Sequence, residues 1–472
     1  MSAYIKFHRG SHIIGGTCTE LCSGNGRVLI DFGSNLPGMD EECPISDKKL
    51  IEEVFGGASD YDAVLFTHYH GDHIGLYKDI PRGQEMYIGE TAKEILQIVT
   101  EYTDRNSDIR GNEIIKGMRT YRPGHPLVIG QCKDMKITPF SVDHSALDAY
   151  MFLIEMAGKR ILYTGDFRDH GIASEEDQFW NLIESDRHNL SDIDVLVTEG
   201  TMLSREKEIS ENIVRTEAEL GKEAAKRFRA NRYNFVMVSS TNLDSIMEIY
   251  HNTPDDVPFV CDLYQARIIS RAMQKMKNKS EKYRPKKMNN GKTRPIHLLL
   301  EHSDEKVGEL IKENNEKKLY LGFQSAQATK GYDTLKNGFV MLVRPNHYPE
   351  KGRSPFEKAL DHFSALSENE VCIMYSLWAG YLKGDRKDKT IVDFIGSHRM
   401  QPLHVSGHAY PETILKLIGK TGPKVIIPMH TAMADQMHKM SIFSEYGARI
   451  HPMRDVENIF DLEKMEVRQA QN

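Results

Sequence analysis

The chain contains no apolar run approaching the ~20 residues a membrane-crossing helix requires, so a spanning segment is not expected. It opens on Met1-Ser2-Ala3-Tyr4-Ile5-Lys6-Phe7, which has strand character and lacks the apolar core of a secretory signal. Cysteine is sparse, with six in 472 residues, at Cys18, Cys22, Cys43, Cys132, Cys261 and Cys372. Scattered in this way they supply neither a disulfide framework nor a zinc ribbon, and Cys18 and Cys22 read as packing residues. There are no internal repeats and no low-complexity tracts. Positive charge is not in excess either: the net charge is −7, with 27% of residues charged. A soluble, cytoplasmic protein long enough for two sizeable cores is the expectation.

The charge that is present is unevenly placed. From Lys275 to Arg294 the only acid is Glu281, among many lysines and arginines. Such a run is either a solvated loop or an electrostatic track for a polynucleotide.

The densest chemistry lies in Thr67-His68-Tyr69-His70-Gly71-Asp72-His73-Ile74-Gly75, directly after the apolar run Ala63-Val64-Leu65-Phe66. On a buried strand end, His68 and His70 share a direction with period 2, and Gly71 lets the chain turn to present Asp72 and His73 to a second ion. Imidazoles combined with carboxylates suit zinc, with manganese or iron as substitutes. Burying so many titratable groups without a metal would be costly.

Completing two sites requires further ligands at strand ends. Lys136 to Val142 runs as a strand into Asp143-His144, and His144 is the natural third imidazole for the ion held by His68 and His70. Arg160-Ile161-Leu162-Tyr163-Thr164-Gly165-Asp166 ends in Gly-Asp, which suits Asp166 as a bridging ligand. Lys424-Val425-Ile426-Ile427-Pro428-Met429-His430 brings His430 to the ion held by Asp72 and His73. Asp31 and Asp143 are candidates to hold a ligand imidazole in one tautomer.

This order of motifs resembles the metallo-β-lactamase superfamily, and the later segments resemble its β-CASP branch of nucleic-acid-processing hydrolases, ribonuclease J in particular. The acid after a later strand is matched by Glu199 in Val195-Leu196-Val197-Thr198-Glu199-Gly200-Thr201, and the Ser-Gly-His turn by His408 in His404-Val405-Ser406-Gly407-His408-Ala409. A histidine at the last motif, His430, groups the chain with RNA-acting members. The Gly322 to Thr329 segment departs from the Gly-Ser-Gln-Gly-Glu-Pro-like loop of ribonuclease J, so no preference for a 5′ monophosphate follows.

The resemblance implies an α/β fold, a metallo-β-lactamase αββα sandwich with an inserted α/β β-CASP domain. The expected layout is a first part over 1–204, an insertion over 205–392 with alternating strands and helices, and a return over 393–472. A long charged helix is predicted over Glu206 to Ala230.

The implied activity is metal-dependent hydrolysis of RNA phosphodiester bonds by a hydroxide activated between two Zn2+ ions, with Mn2+ or Fe as substitutes. Asp72 belongs to both the metal set and the catalytic set. Glu199 and His408 form the proton-donor pair, and His404 and Ser406 are candidates to hold the neighbouring phosphate. RNA as partner, no membrane and a homodimer are implied. A small-molecule ester or phosphodiester hydrolase is the alternative, and a non-catalytic RNA-binding subunit the third reading.

Overall fold

A computed structural model of the chain describes residues 3–470 apart from 25, 38–42, 58–60, 104–108, 128, 130–134, 176–177, 186, 301–304, 318, 320, 328–331, 346–351 and 385. Cys132 and the end of the Gly322 to Thr329 segment therefore lie outside the described residues. The chain divides into two compact units, Met1–Glu211 with Gly407–Asn472, and Asn212–Ser406.

Apolar runs in the first unit build two sheets. The eight-stranded sheet runs Glu466–Gln469, Asn458–Asp461, Tyr4–Arg9, Cys18–Ser23, Gly26–Ile30, Ala63–Leu65, Met86–Ile88 and Arg119–Thr120 in spatial order. The five-stranded sheet runs Val425–Met429, Val195–Glu199, Lys159–Tyr163, Ala149–Met156 and Met135–Val142. Alternation within each strand decides what it faces. Val195, Val197, Ile161, Tyr163 and Ile427 pack on Phe7, Leu21, Val28, Ile30 and Leu65 of the other sheet. Leu196, Leu162 and Ile426 point the other way, onto Trp180 and Ile183 of helix Gln178–Glu184 and Ile414, Leu417 and Ile418 of helix Pro411–Thr421. Both faces of these strands are buried, which explains their unbroken apolar character. Each such Leu, Ile or Val removed from water is worth about 1.5–3 kcal/mol.

The second unit is an all-parallel seven-stranded sheet in the order Phe323–Gln327, Ile296–Leu300, Phe259–Cys261, Phe339–Val343, Tyr233–Val238, Val371–Ser376 and Met400–Pro402. Its boundaries lie later in the chain than the sequence pattern indicates. Met400–Pro402 adds to the parallel sheet beside Val371–Ser376, so the chain returns to the first unit at Gly407 instead of 393. The long helix predicted over Glu206 to Ala230 is two helices, Glu206–Glu211 and Glu217–Ala230. Thr216 starts the second with a capping box, its hydroxyl accepting from Glu219 N while Glu219 reaches back. Asn212 Oδ1 accepts from Val214 N, which turns the chain between them.

Candidate metal centre

Strand ends of the first unit deliver the polar side chains of the site. Ala63–Leu65 leads into His68, His70, Asp72 and His73; Met135–Val142 into His144; Lys159–Tyr163 into Asp166; Val195–Glu199 ends on Glu199; and Val425–Met429 leads into His430. Left-handed backbone at Gly165, φ 54°, and His430, φ 50°, turns the chain at the strand ends. At Gly165 a side chain would also come 2.9 Å from Thr67 Cγ2.

These side chains converge. Donor atoms of His68, His70 and His144 lie within 4.8 Å of one another, and so do those of Asp72, His73 and His430, and of Asp166, Glu199, His408 and His430. Asp166 stands among them: its Oδ2 is 3.1 Å from His73 Nε2, 3.9 Å from His68 Nε2 and 4.0 Å from His144 Nε2, while its Oδ1 is 3.7 Å from His430 Nδ1. His430 Nε2 is 3.2 Å from Asp72 Oδ2, and its Nδ1 is 2.8 Å from Thr201 Oγ1. Most of the cluster is buried, and His70, Asp72 and His408 are its partly exposed members.

The electrostatics favour cation binding. Burial and the neighbouring imidazoles push His68 well down, and burial holds His144 well down and His70 down to about 4, so all three offer neutral nitrogens. Burial opposes charge on Asp166, but His430, His73 and His408 outweigh it and keep the carboxylate ionised. Asp72 is likewise held low against burial, by His430 and His73. Buried His68 Nε2 and Asp166 Oδ1 have no hydrogen-bond partner among the described residues. Unpaired nitrogen and carboxylate donors aimed into one cluster fit divalent metal ions of the zinc, manganese or iron kind.

Supporting contacts hold these donors in place. Asp31, itself in left-handed backbone at φ 60°, takes Thr67 N and Thr67 Oγ1 and lies 2.8 Å from His73 Nδ1. Asp143 does not meet a ligand imidazole. It is occupied by Arg168 Nε and Gly171 N, and His144 Nδ1 meets Gly407 O instead. Thr67 and Thr201, both adjacent in sequence to the motifs, were the supporting residues that sequence reasoning passed over.

Glu199 and His408 form a separate pair on this cluster. Glu199 is fully buried; Oε2 lies 3.0 Å from His408 Nδ1, and Oε1 accepts from Phe167 N and Ala409 N. His408 Nδ1 is also 3.5 Å from Asp166 Oδ2. Burial works against the imidazolium, but Glu199 and Asp166 raise its pKa above the ordinary value.

Residues 51–237 match the model of the beta-lactamase superfamily domain. Over these residues the chain is similar to the metallo-β-lactamase superfamily. Among curated proteins it is similar to an RNase J-like protein of Methanocaldococcus jannaschii, 29% identical over 207 residues, which are 42% of this chain and 42% of the relative. It is also similar to the endoribonuclease ysh-1 of Neurospora crassa, 28% identical over 209 residues, 41% of this chain and 23% of that protein. The matched stretch thus spans less than half the length of each relative. The fold is shared by a protein of unknown function from Enterococcus faecalis V583, with a TM-score of 0.66, 21% identity, and coverage of 92% of this chain and 95% of that one.

In the second unit, His404 and Ser406 follow the edge strand Met400–Pro402. His404 Nδ1 lies 3.3 Å from Ser376 O, and Ser406 is buried. Part of the basic run is tied back to the unit. Lys277 reaches Lys317 O, Lys282 pairs with Glu248, Arg284 reaches Lys277 O, and Lys286 reaches Thr253 O. Arg294 is buried and donates to the carbonyls of Thr253, Pro254 and Val257. These contacts close loops of the unit, while Lys279, Arg284, Lys287 and Lys292 are exposed. No described helix is long and apolar enough to cross a membrane.

Proposed function

We propose that the chain is a metal-dependent ribonuclease that hydrolyses RNA phosphodiester bonds with His408 as proton donor. The observation that carries this reading is the His408–Glu199 contact of 3.0 Å on the partly exposed side of a His/Asp metal cluster. Two divalent cations, zinc in the first instance, would supply charge neutralisation at the phosphoryl oxygens and activation of water. His68, His70 and His144 would hold one and Asp72, His73 and His430 the other, with Asp166 shared.

The chain's own residues do the rest. The Glu199 carboxylate accepts from His408 Nδ1 and fixes the ring, leaving Nε2 to give its proton to the departing oxygen. Because Glu199 is anchored by the backbone at Phe167 and Ala409, it orients the ring without swinging away. His404 and Ser406 would take the phosphate next to the scissile one. The ribonuclease names of the relatives support RNA as the substrate class, and a cytoplasmic homodimer goes with the same reading.

The test is incubation of purified, metal-loaded protein with end-labelled RNA and with DNA of the same sequence, beside Asp72→Ala. RNA cleavage abolished in the variant supports the reading. Intact RNA alongside turnover of a small phosphodiester or ester would replace it with a small-molecule hydrolase.

A further inference from the structure

The strand Val371–Ser376 ends at its carboxyl edge in Leu377-Trp378-Ala379-Gly380-Tyr381-Leu382. Leu377, Tyr381 and Leu382 lean on the core of the second unit. Trp378 instead rests over Gly380, so close that a side chain there would come 2.2 Å from its ring. Glycine at 380 is therefore what lets the indole lie flat against the backbone. Tyr381 meets the indole edge-on, with ring centroids 5.4 Å apart, and the Arg386 guanidinium lies 5.4 Å from the indole centroid. Trp378 and Tyr381 are half-buried, while Lys383, Lys387 and Lys389 around them are exposed. Asp388 caps helix Lys389–Ile395, its Oδ1 accepting from Thr390 N and Ile391 N.

We propose that Trp378, with Tyr381 and Arg386, is a stacking platform for an unpaired base of single-stranded RNA, and that Lys383, Lys387 and Lys389 hold the adjoining phosphates. This deepens the ribonuclease reading and rests on it. An indole fixed on a glycine floor offers a flat, preordered surface, and base stacking on such a ring is indifferent to sequence. The guanidinium over the ring shows that it accepts a planar cationic partner, a contact that is weak at a partly exposed site and that a base can displace or extend. His404, assigned above to a phosphate, lies beside the same strand end through its contact with Ser376 O.

The experiment uses the full-length protein and a fluorescein-labelled, 2′-O-methylated single-stranded RNA that resists cleavage. Binding is read by anisotropy, and tryptophan emission is followed in parallel. The chain has only two tryptophans, and Trp180 is buried at 7% exposure, so quenching reports chiefly on Trp378. Trp378→Ala is expected to weaken binding about 5–100-fold, Trp378→Phe to retain most of the affinity while losing the quench, and duplex RNA not to quench the parent. Parent-like affinity in Trp378→Ala, with unquenched emission in the parent, overturns the platform; RNA cleavage by the parent in the same preparation then leaves the ribonuclease reading standing. If the parent neither binds nor cleaves RNA, that reading fails and the platform with it. Emission that responds to an added protein and not to RNA assigns the surface to a protein partner and overturns the proposal as well.

Discussion

A side chain on Gly33 would put its Cβ 1.8 Å from the carbonyl oxygen of Asp72. The two backbones are pressed together because Thr17 and residues 31–34 form the seat of the loop 71–73: Thr17 N donates to Asp72 O, Phe32 N to His73 O and Ser34 N to Gly71 O. Buried Arg9 clamps the seat from behind through the carbonyls of Gly16 and Gly33. Gly33→Ala should therefore displace Asp72 and His73, cost about 1–3 kcal/mol of stability and lower bound metal. Metal analysis after dialysis against a limiting zinc buffer, with a thermal melt alongside, measures both; parent-like values in each would show that the seat does not set the ligands.

Asp31 should act on the proposed metal site through His73. Its carboxylate fixes the imidazole with Nε2 facing the cluster, so Asp31→Asn should weaken divalent-metal affinity roughly 10–100-fold with little change in fold. Competition with a chromophoric chelator reads this directly. An unchanged affinity would mean that packing alone holds the ring.

Acid stability should depend on Glu20, away from the metal cluster. This buried carboxylate takes His8, Arg27, Tyr4 and Tyr61. Burial pushes its pKa up, but the His8 and Arg27 hydrogen bonds outweigh that and hold it well below the usual carboxylate range. The folded state thus favours the ionised form. Its contribution is complete above the unfolded-state value of about 4.3 and is lost as pH falls through the folded value. Glu20→Gln should lower the urea midpoint at neutral pH, and the gap to the parent should close on acidification. A gap that stays constant with pH would contradict this.

Removing the anchor of the donor pair should be milder than removing the donor. Glu199→Gln keeps the shape and the contacts to Phe167 N and Ala409 N but loses the anion beside His408. Turnover should fall while substrate affinity holds, and the pH profile of kcat should move toward acid. A fall in affinity with unchanged kcat would assign Glu199 to substrate binding instead.

The convergence of these side chains was legible because chemistry and pattern coincide: each of His68, His144, Asp166, Glu199 and His430 ends or follows an apolar strand, and a strand end is where a side chain escapes the core. The αββα layering was an implication of the resemblance, and runs such as Val195 to Val197, buried on both faces, agree with it. Which strand-end acid supports a ligand was not legible. Asp31 and Asp143 look alike in sequence, and only the fold delivers one to His73 and the other to Arg168. The basic run was ambiguous because its lysines and arginines find carbonyl oxygens distant in the chain, such as Lys317 and Thr253. The break at Asn212 depends on local side-chain caps that compete with an otherwise helical composition.

On the proposed mechanism His408 donates a proton and holds no essential metal. His408→Ala, loaded with zinc or manganese, is to be compared with the parent for metal content and for RNA turnover in one preparation. Parent-like metal content and a turnover lower by about 10²–10⁴-fold are expected. Turnover equal to the parent, or loss of metal in step with activity, would contradict that mechanism.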